Sequence, residues 1–243
     1  MTDLSEREIQ ILKAIIDEYI DTAQPVGSEK LDKKYNLGVS PATIRNEMVK
    51  LTKMGYLKQN HTSAGRTPTH IALKFYVQSL MKPEDLSIAQ EVTVKQKLWD
   101  HKDKMDKLLR EATRALAENT KTMSLAATNH GDIYTAGMSN ILEMPEFYDI
   151  DITRSLLSTL DEYDYWWKVF EKNRQSTGGL HILLGEDLGQ KLLNDCGCIF
   201  VNFTSPHHQG AIGIVGPIRL NFPHIIPVVS YIGNLVDEVS RNW

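Results

Sequence analysis

Apolar and polar positions along the first eighty residues alternate with helical period. Ile9, Leu12, Ile15, Ile16, Tyr19 and Ile20 form one stripe, and the run from Ser5 to Glu8 reads as a capping box, predicting a helix to about residue 22. Pro25 and Gly27 break it. Ser28 caps a short second helix carrying Leu31 and Tyr35, and Gly38 turns the chain into a third. There Ser40 is an N-cap and Pro41 sits at the first helical position, where a missing N–H costs nothing. Ile44, Met48 and Leu51 give that helix one buried face. Met54 and Gly55 stop it, a strand follows over residues 56–59, and residues 61–66 make a polar turn. Pro68 and Thr69 then open a fourth helix over residues 69–81. Helix, strand, Gly-containing loop and return is the plan of a winged helix, predicting a domain over residues 1–82 with Tyr56, Phe75 and Tyr76 in its core.

Lys82 and Pro83 mark a boundary. Residues 89–119 read as helical, with Val94, Leu98, His101, Met105, Leu108, Ala112 and Ala115 alternating spacings of four and three. Two readings fit: a helix packed on its own protein, or a linker over 83–121 pairing two protomers through Val94, Leu98, Met105 and Leu108. Strands follow at 123–128 and 133–137, helices at 152–163 and 165–172, a strand at 179–184 and a short helix at 188–193. A hairpin is predicted from 199–204 and 211–215, and a last helix over 223–241. The second domain, 122–243, is thus α+β with a mainly antiparallel sheet.

The chain has 243 residues, 42% hydrophobic, with a net charge of −4. The distribution matters more: residues 1–82 carry 12 Lys and Arg against 9 Asp and Glu, the remainder 15 against 22. A basic head on an acidic body suits a polyanionic partner. The first residues are charged and lack an apolar stretch, so no signal peptide is expected, and no apolar run reaches membrane-spanning length. Two cysteines suit a reducing compartment, and a cytoplasmic location is the expectation.

The outer face of the third helix presents Ala42, Arg45, Asn46, Val49 and Lys53, with Thr43 and Lys50 at its margins. Arginine can take both acceptors of a guanine edge, asparagine can pair with adenine N6 and N7, and alanine or valine can touch a thymine methyl. The polar turn adds His61, Thr62, Ser63 and Arg66 as backbone or minor-groove contacts. With Ser40, Thr43 and Lys50 these are the candidate DNA-binding residues, and double-stranded DNA is the expected partner.

Other clusters carry less. Cys196 and Cys198 with His207 and His208 miss the usual zinc spacings, so no metal is expected. Gly213 and Gly216 match no phosphate-binding pattern and read as strand-end and turn residues. Asp161 and Asp164 read as a solvated helix end, and Arg219 as an ion-pair residue. No catalytic constellation and no cofactor motif is present, so an enzyme is not expected.

The run Pro25-Val-Gly-Ser-Glu-Lys-Leu31, then Gly38-Val-Ser-Pro-Ala-Thr-Ile-Arg-Asn-Glu-Met48 and Met54-Gly-Tyr-Leu-Lys-Gln-Asn-His-Thr-Ser-Ala-Gly-Arg66, closely resembles the N-terminal domain of the HrcA family of bacterial heat-inducible repressors. Residues 137–147, 184–186 and 213–222 resemble its GAF-like C-terminal portion, with Ile218, Leu220, Asn221 and Phe222 departing from the usual residues. Family members are longer, which implies a reduced GAF-like domain here, without the first strands and the inserted dimerisation segment. The resemblance implies a repressor of chaperone operons that binds an inverted-repeat operator as a homodimer, with the chaperonin sustaining its active form. A regulator gated by a small effector in the GAF-like domain is the alternative.

Overall fold

The computed structural model describes residues 4–59, 65–102, 104–174 and 179–241, and the chain divides into two compact units, Met1–Lys82 and Pro83–Trp243.

The first unit is built on α1 (Glu6–Thr22). Ser5 Oγ accepts from the Glu8 amide while the Glu8 carboxylate accepts from the Ser5 amide, satisfying two N-terminal donors reciprocally. The helix ends on Ala23 in the left-handed region. Helices α2 (Ser28–Lys34) and α3 (Pro41–Lys53) pack together, and α3 also lies on α1. Strands β1 (Leu57–Lys58) and β2 (Thr67–Pro68) pair antiparallel as a short ribbon, and Thr69 caps α4 (His70–Ser79). Ile11, Leu12, Ile15, Leu31, Ile44, Leu51 and Leu73 form the core. Ile11 was missing from the predicted stripe, and Ile9, Tyr19 and Ile20 are only half-buried. Tyr76 is buried with its hydroxyl donating to Asp17, and Tyr56 and Phe75 meet edge to face at 5.8 Å.

The second unit opens with α5 (Ile88–Trp99) and α6 (Met105–Thr120). The single helix predicted over 89–119 is two helices, the first ending at Trp99 and the second starting at Met105. The two halves pack on each other, with Lys97 Nζ 3.0 Å from Glu118 Oε2. Among the described residues five strands follow, β3 (Met123–Thr128), β4 (Ile133–Ala136), β5 (Leu180–Leu184), β6 (Cys196–Thr204) and β7 (Gln209–Pro217), in one antiparallel sheet of order β4-β3-β7-β6-β5. Between β4 and β5 lie α7 (Met138–Ile141), a 3-10 turn (Pro145–Tyr148), α8 (Ile150–Leu160) and α9 (Tyr163–Asn173). The helix expected at 188–193 is two 3-10 turns, Gly185–Leu188 and Lys191–Leu193, split by Gly189 at positive φ.

Helix α10 (Phe222–Ser240) and α6 cover one face of this sheet, while α8 and α9 cover the other through Leu156, Leu160, Trp166 and Phe170. Both faces are therefore dry, which is why β3, β6 and β7 read as nearly continuous apolar runs rather than alternating ones. The strand that follows α6 directly, β3, lies inside the sheet, between β4 and β7. Gly213 and Gly216 were expected as strand-end and turn residues; Gly216 does lie at the end of β7, one residue before Pro217, whereas Gly213 stands in mid-strand. A Cβ on Gly213 would fall 2.1 Å from the Ile199 carbonyl oxygen and 2.5 Å from Phe200 Cβ, so the bare backbone admits the close approach of β6 at this point.

Candidate nucleic-acid interface

Helix α3 is fixed at both ends by local chemistry. Ser40 Oγ accepts from the Thr43 amide at 3.2 Å and lies 3.0 Å from Thr43 Oγ1, so these two hydroxyls first serve the helix start. At the other end Gly55, at φ 82°, lets the Tyr56 amide reach Leu51 O and its own amide reach Thr52 O, a Schellman closure. Ile44, Met48 and Leu51 are buried, and Ala42, Arg45, Asn46, Val49 and Lys53 face outward.

The ribbon is tied beside this face. Val26 and Arg66 exchange both backbone hydrogen bonds, each 2.9 Å, as an isolated antiparallel bridge. A Cβ on Gly65 would fall 2.5 Å from the Val26 carbonyl, so only glycine admits that approach. Arg45, Asn46, Val49, Gln59 and Arg66 line one groove of about 450 Å³, with Ser28 and Glu29 on its α2 side. Among the described residues no carboxylate comes within salt-bridge distance of Arg45, Lys53 or Arg66. Burial, with the neighbouring Arg45 charge, pulls the Arg66 guanidinium below its usual range, and its Nε has no acceptor.

Lys50 stands apart from the other predicted contacts. Its ammonium lies 2.8 Å from the nearly buried Glu47 carboxylate, which holds its pKa above the usual lysine range, so it neutralises a charge inside the protein. His61, Thr62 and Ser63 lie outside the described residues. Sequence reasoning missed Gln59, Ser28 and the Val26 anchor; a lone β-branched residue between Pro25 and Gly27 is too short to register as a strand.

The predicted pairing seam is turned inward. Val94, Leu98, Met105 and Leu108 are all buried inside the second unit, because the chain folds back between α5 and α6 and closes the seam on itself. Cys196 and Cys198 lie in the core under α8 and α9, and burial pushes the Cys196 thiol up to about 12. His208 instead packs its ring against His130 at 4.8 Å on the loops at the sheet's end. Asp161 and Asp164 are exposed, and Arg219 forms a two-pronged ion pair with Glu146. A second hollow of about 280 Å³ is lined by Arg114, Glu118, Lys121 and Asn140 together with Ala117, Ala136 and Gly137, a mixture of charged and small residues without the large apolar side chains that line most small-molecule sites. No helix among the described residues is long and apolar enough to cross a membrane.

A solved structure described as a hypothetical protein superposes with a TM-score of 0.78 over 99% of each chain at 18% identity, so the fold is shared end to end. The heat-inducible transcription repressor HrcA of Symbiobacterium thermophilum is 26% identical over 98% of this chain and 99% of its own. The HrcA of Desulforamulus reducens is 27% identical over 98% and 96%. The first alignment runs over 339 positions against 243 residues here, so the relative carries stretches that this chain lacks. The family profile of the HrcA protein C terminal domain matches residues 70–226, from the start of α4 into α10. More than half the chain lies within that match, and the chain belongs to the HrcA family, that of the heat-inducible transcription repressors it matches along nearly its whole length.

Proposed function

We propose that this chain is a DNA-binding transcription repressor whose first unit is a winged helix and whose second is GAF-like. Helix α3 enters the major groove as the recognition helix, and the ribbon rooted at Arg66 follows the backbone or minor groove. Arg45 and Asn46 read base edges, while Lys53 and Arg66 hold phosphates and set the register. The observation that carries this reading is the outer face of α3. Arg45 and Asn46 stand exposed on a rigidly capped helix, without internal charge partners among the described residues, in one groove with Arg66.

Two such heads on a two-fold axis would read an inverted repeat. Family membership supports chaperone operons as the targets and the chaperonin as the partner that sustains the active form. The test is binding of purified protein to a labelled inverted-repeat operator beside a scrambled duplex. Selective binding is expected, with Arg45→Ala costing about 1–3 kcal/mol and losing discrimination at one base pair. Equal affinity for both duplexes would overturn the assignment of α3. Adding purified chaperonin should raise the active fraction, and no change would remove the chaperonin from the proposal.

A further inference from the structure

Helix α5 has two apolar faces, and only one is used within the second unit. Val94 and Leu98 point inward, whereas Ile88 is 80%, Val92 50% and Trp99 39% exposed. At about 100° per residue, Ile88, Val92, Lys95 and Trp99 fall on one narrow stripe roughly 110° around the helix from the buried face. Their spacings of four, three and four are those of a helix-pairing seam. Lys95 and Lys102 each hold an ammonium 5.9 Å from the Trp99 ring, beside an indole that remains 39% exposed.

We infer that this stripe is the interface with a second copy of the chain, two α5 helices packing antiparallel across a two-fold axis that passes between Val92 and Lys95. The register follows from the stripe itself. An isologous contact pairs each residue with its mirror about the axis. Ile88 then meets the second copy's Trp99, and Val92 meets the aliphatic stem of the second copy's Lys95. Glu91 flanks the stripe on the same side as Lys95, and the two-fold axis keeps that side facing itself. The Glu91 carboxylate therefore comes opposite the second copy's Lys95 ammonium, twice per dimer. This charge complementarity selects a second copy over an unrelated apolar partner, because both halves of the ion pair lie on one helix. Leu142, Tyr148 and Ile150, also exposed, are spread over the end of α7, the 3-10 turn and the start of α8 rather than set along one helix.

The inference deepens the operator reading, which needs two heads, and supplies a pairing surface in a chain shorter than its relatives. The test is sedimentation of the full chain without DNA. The parent is expected to be a dimer at micromolar concentration, and Val92→Glu a monomer with an unchanged melting curve. Glu91→Lys alone and Lys95→Glu alone should each weaken association by at least about tenfold, and the double charge swap should restore it. The charge swap decides the matter even if Val92→Glu folds poorly, since Lys95 is exposed and Glu91 half-exposed. A monomeric parent, a dimer indifferent to Val92→Glu, or a double swap no better than its singles would overturn the seam. Binding of the parent to a duplex carrying one half-site tests the head separately, so failure of the seam and failure of the repressor reading give different results.

Discussion

Glu18, 1% exposed on α1, shows how a single charge organises the first unit. Burial alone would raise its pKa, but the ammonium groups of Lys30 and Lys34, each at 2.6 Å, and the Tyr35 hydroxyl at 3.2 Å outweigh it and bring it down to about 2. Three donors from α2 and its C-cap thus close on one carboxylate of α1, fixing the helix that leads into α3. A folded pKa below the unfolded one contributes stability that is complete above the unfolded value and is lost as pH falls through the folded one. Acid melting of the parent should therefore steepen between about 4.5 and about 2. Glu18→Gln should melt lower at neutral pH and show a flatter acid limb. An unchanged limb would mean that the cluster is not intact in solution. Lys50 follows the same logic with the opposite partner geometry. It was legible in the sequence as a basic residue at the rim of α3, but its engagement by Glu47 was not, because an i to i+3 pair competes invisibly with an external phosphate.

Elements whose apolar period is helical and whose ends carry capping chemistry were legible to within a residue or two. Helix α3 was read as starting behind Ser40 and stopping at Met54 and Gly55, and it runs Pro41–Lys53. What could not be read was where an apolar seam would be satisfied. The spacing that marks Val94, Leu98, Met105 and Leu108 is the same whether the partner helix belongs to another chain or, as here, to α6 and α10 of the same unit. Glycines in regular elements were equally opaque. Gly233 lies inside α10, where a Cβ would sit 2.6 Å from Val201 Cβ of β6, so it marks a close approach of helix to sheet. Gly233→Ala sets two effects against each other. Helix propensity favours alanine by about 1 kcal/mol, while overpacking a fitted contact costs about 1–3 kcal/mol. The new methyl would meet the branched Cβ of Val201, fixed directly on the β6 backbone with no flexible end to yield, so overpacking wins. The variant should melt several degrees lower; a higher melting temperature would mean that α10 shifts off the sheet at little cost.

For the whole molecule, the division of charge becomes a measurable property of binding. The first 82 residues carry the surplus of Lys and Arg and the remainder the surplus of Asp and Glu, so the salt dependence of DNA binding should report only contacts made by the first unit. Each phosphate neutralised on a duplex contributes a slope of roughly 0.9 in log affinity against log salt concentration. Lys53 stands exposed in the last turn of α3 with no internal partner among the described residues. Its replacement by alanine should weaken all sequences alike. On a full inverted repeat bound by a dimer, two contacts vanish and the slope should fall by roughly 1.8; on a single half-site it should fall by roughly 0.9. Fluorescence anisotropy across salt on both duplexes reads the difference directly. A fall of the smaller size on both would mean that only one head engages even a complete operator, and the two-fold reading would fail while the recognition helix survived. No change on either would take Lys53 off the phosphate backbone and leave Arg66, at the root of the ribbon, as the cation holding it.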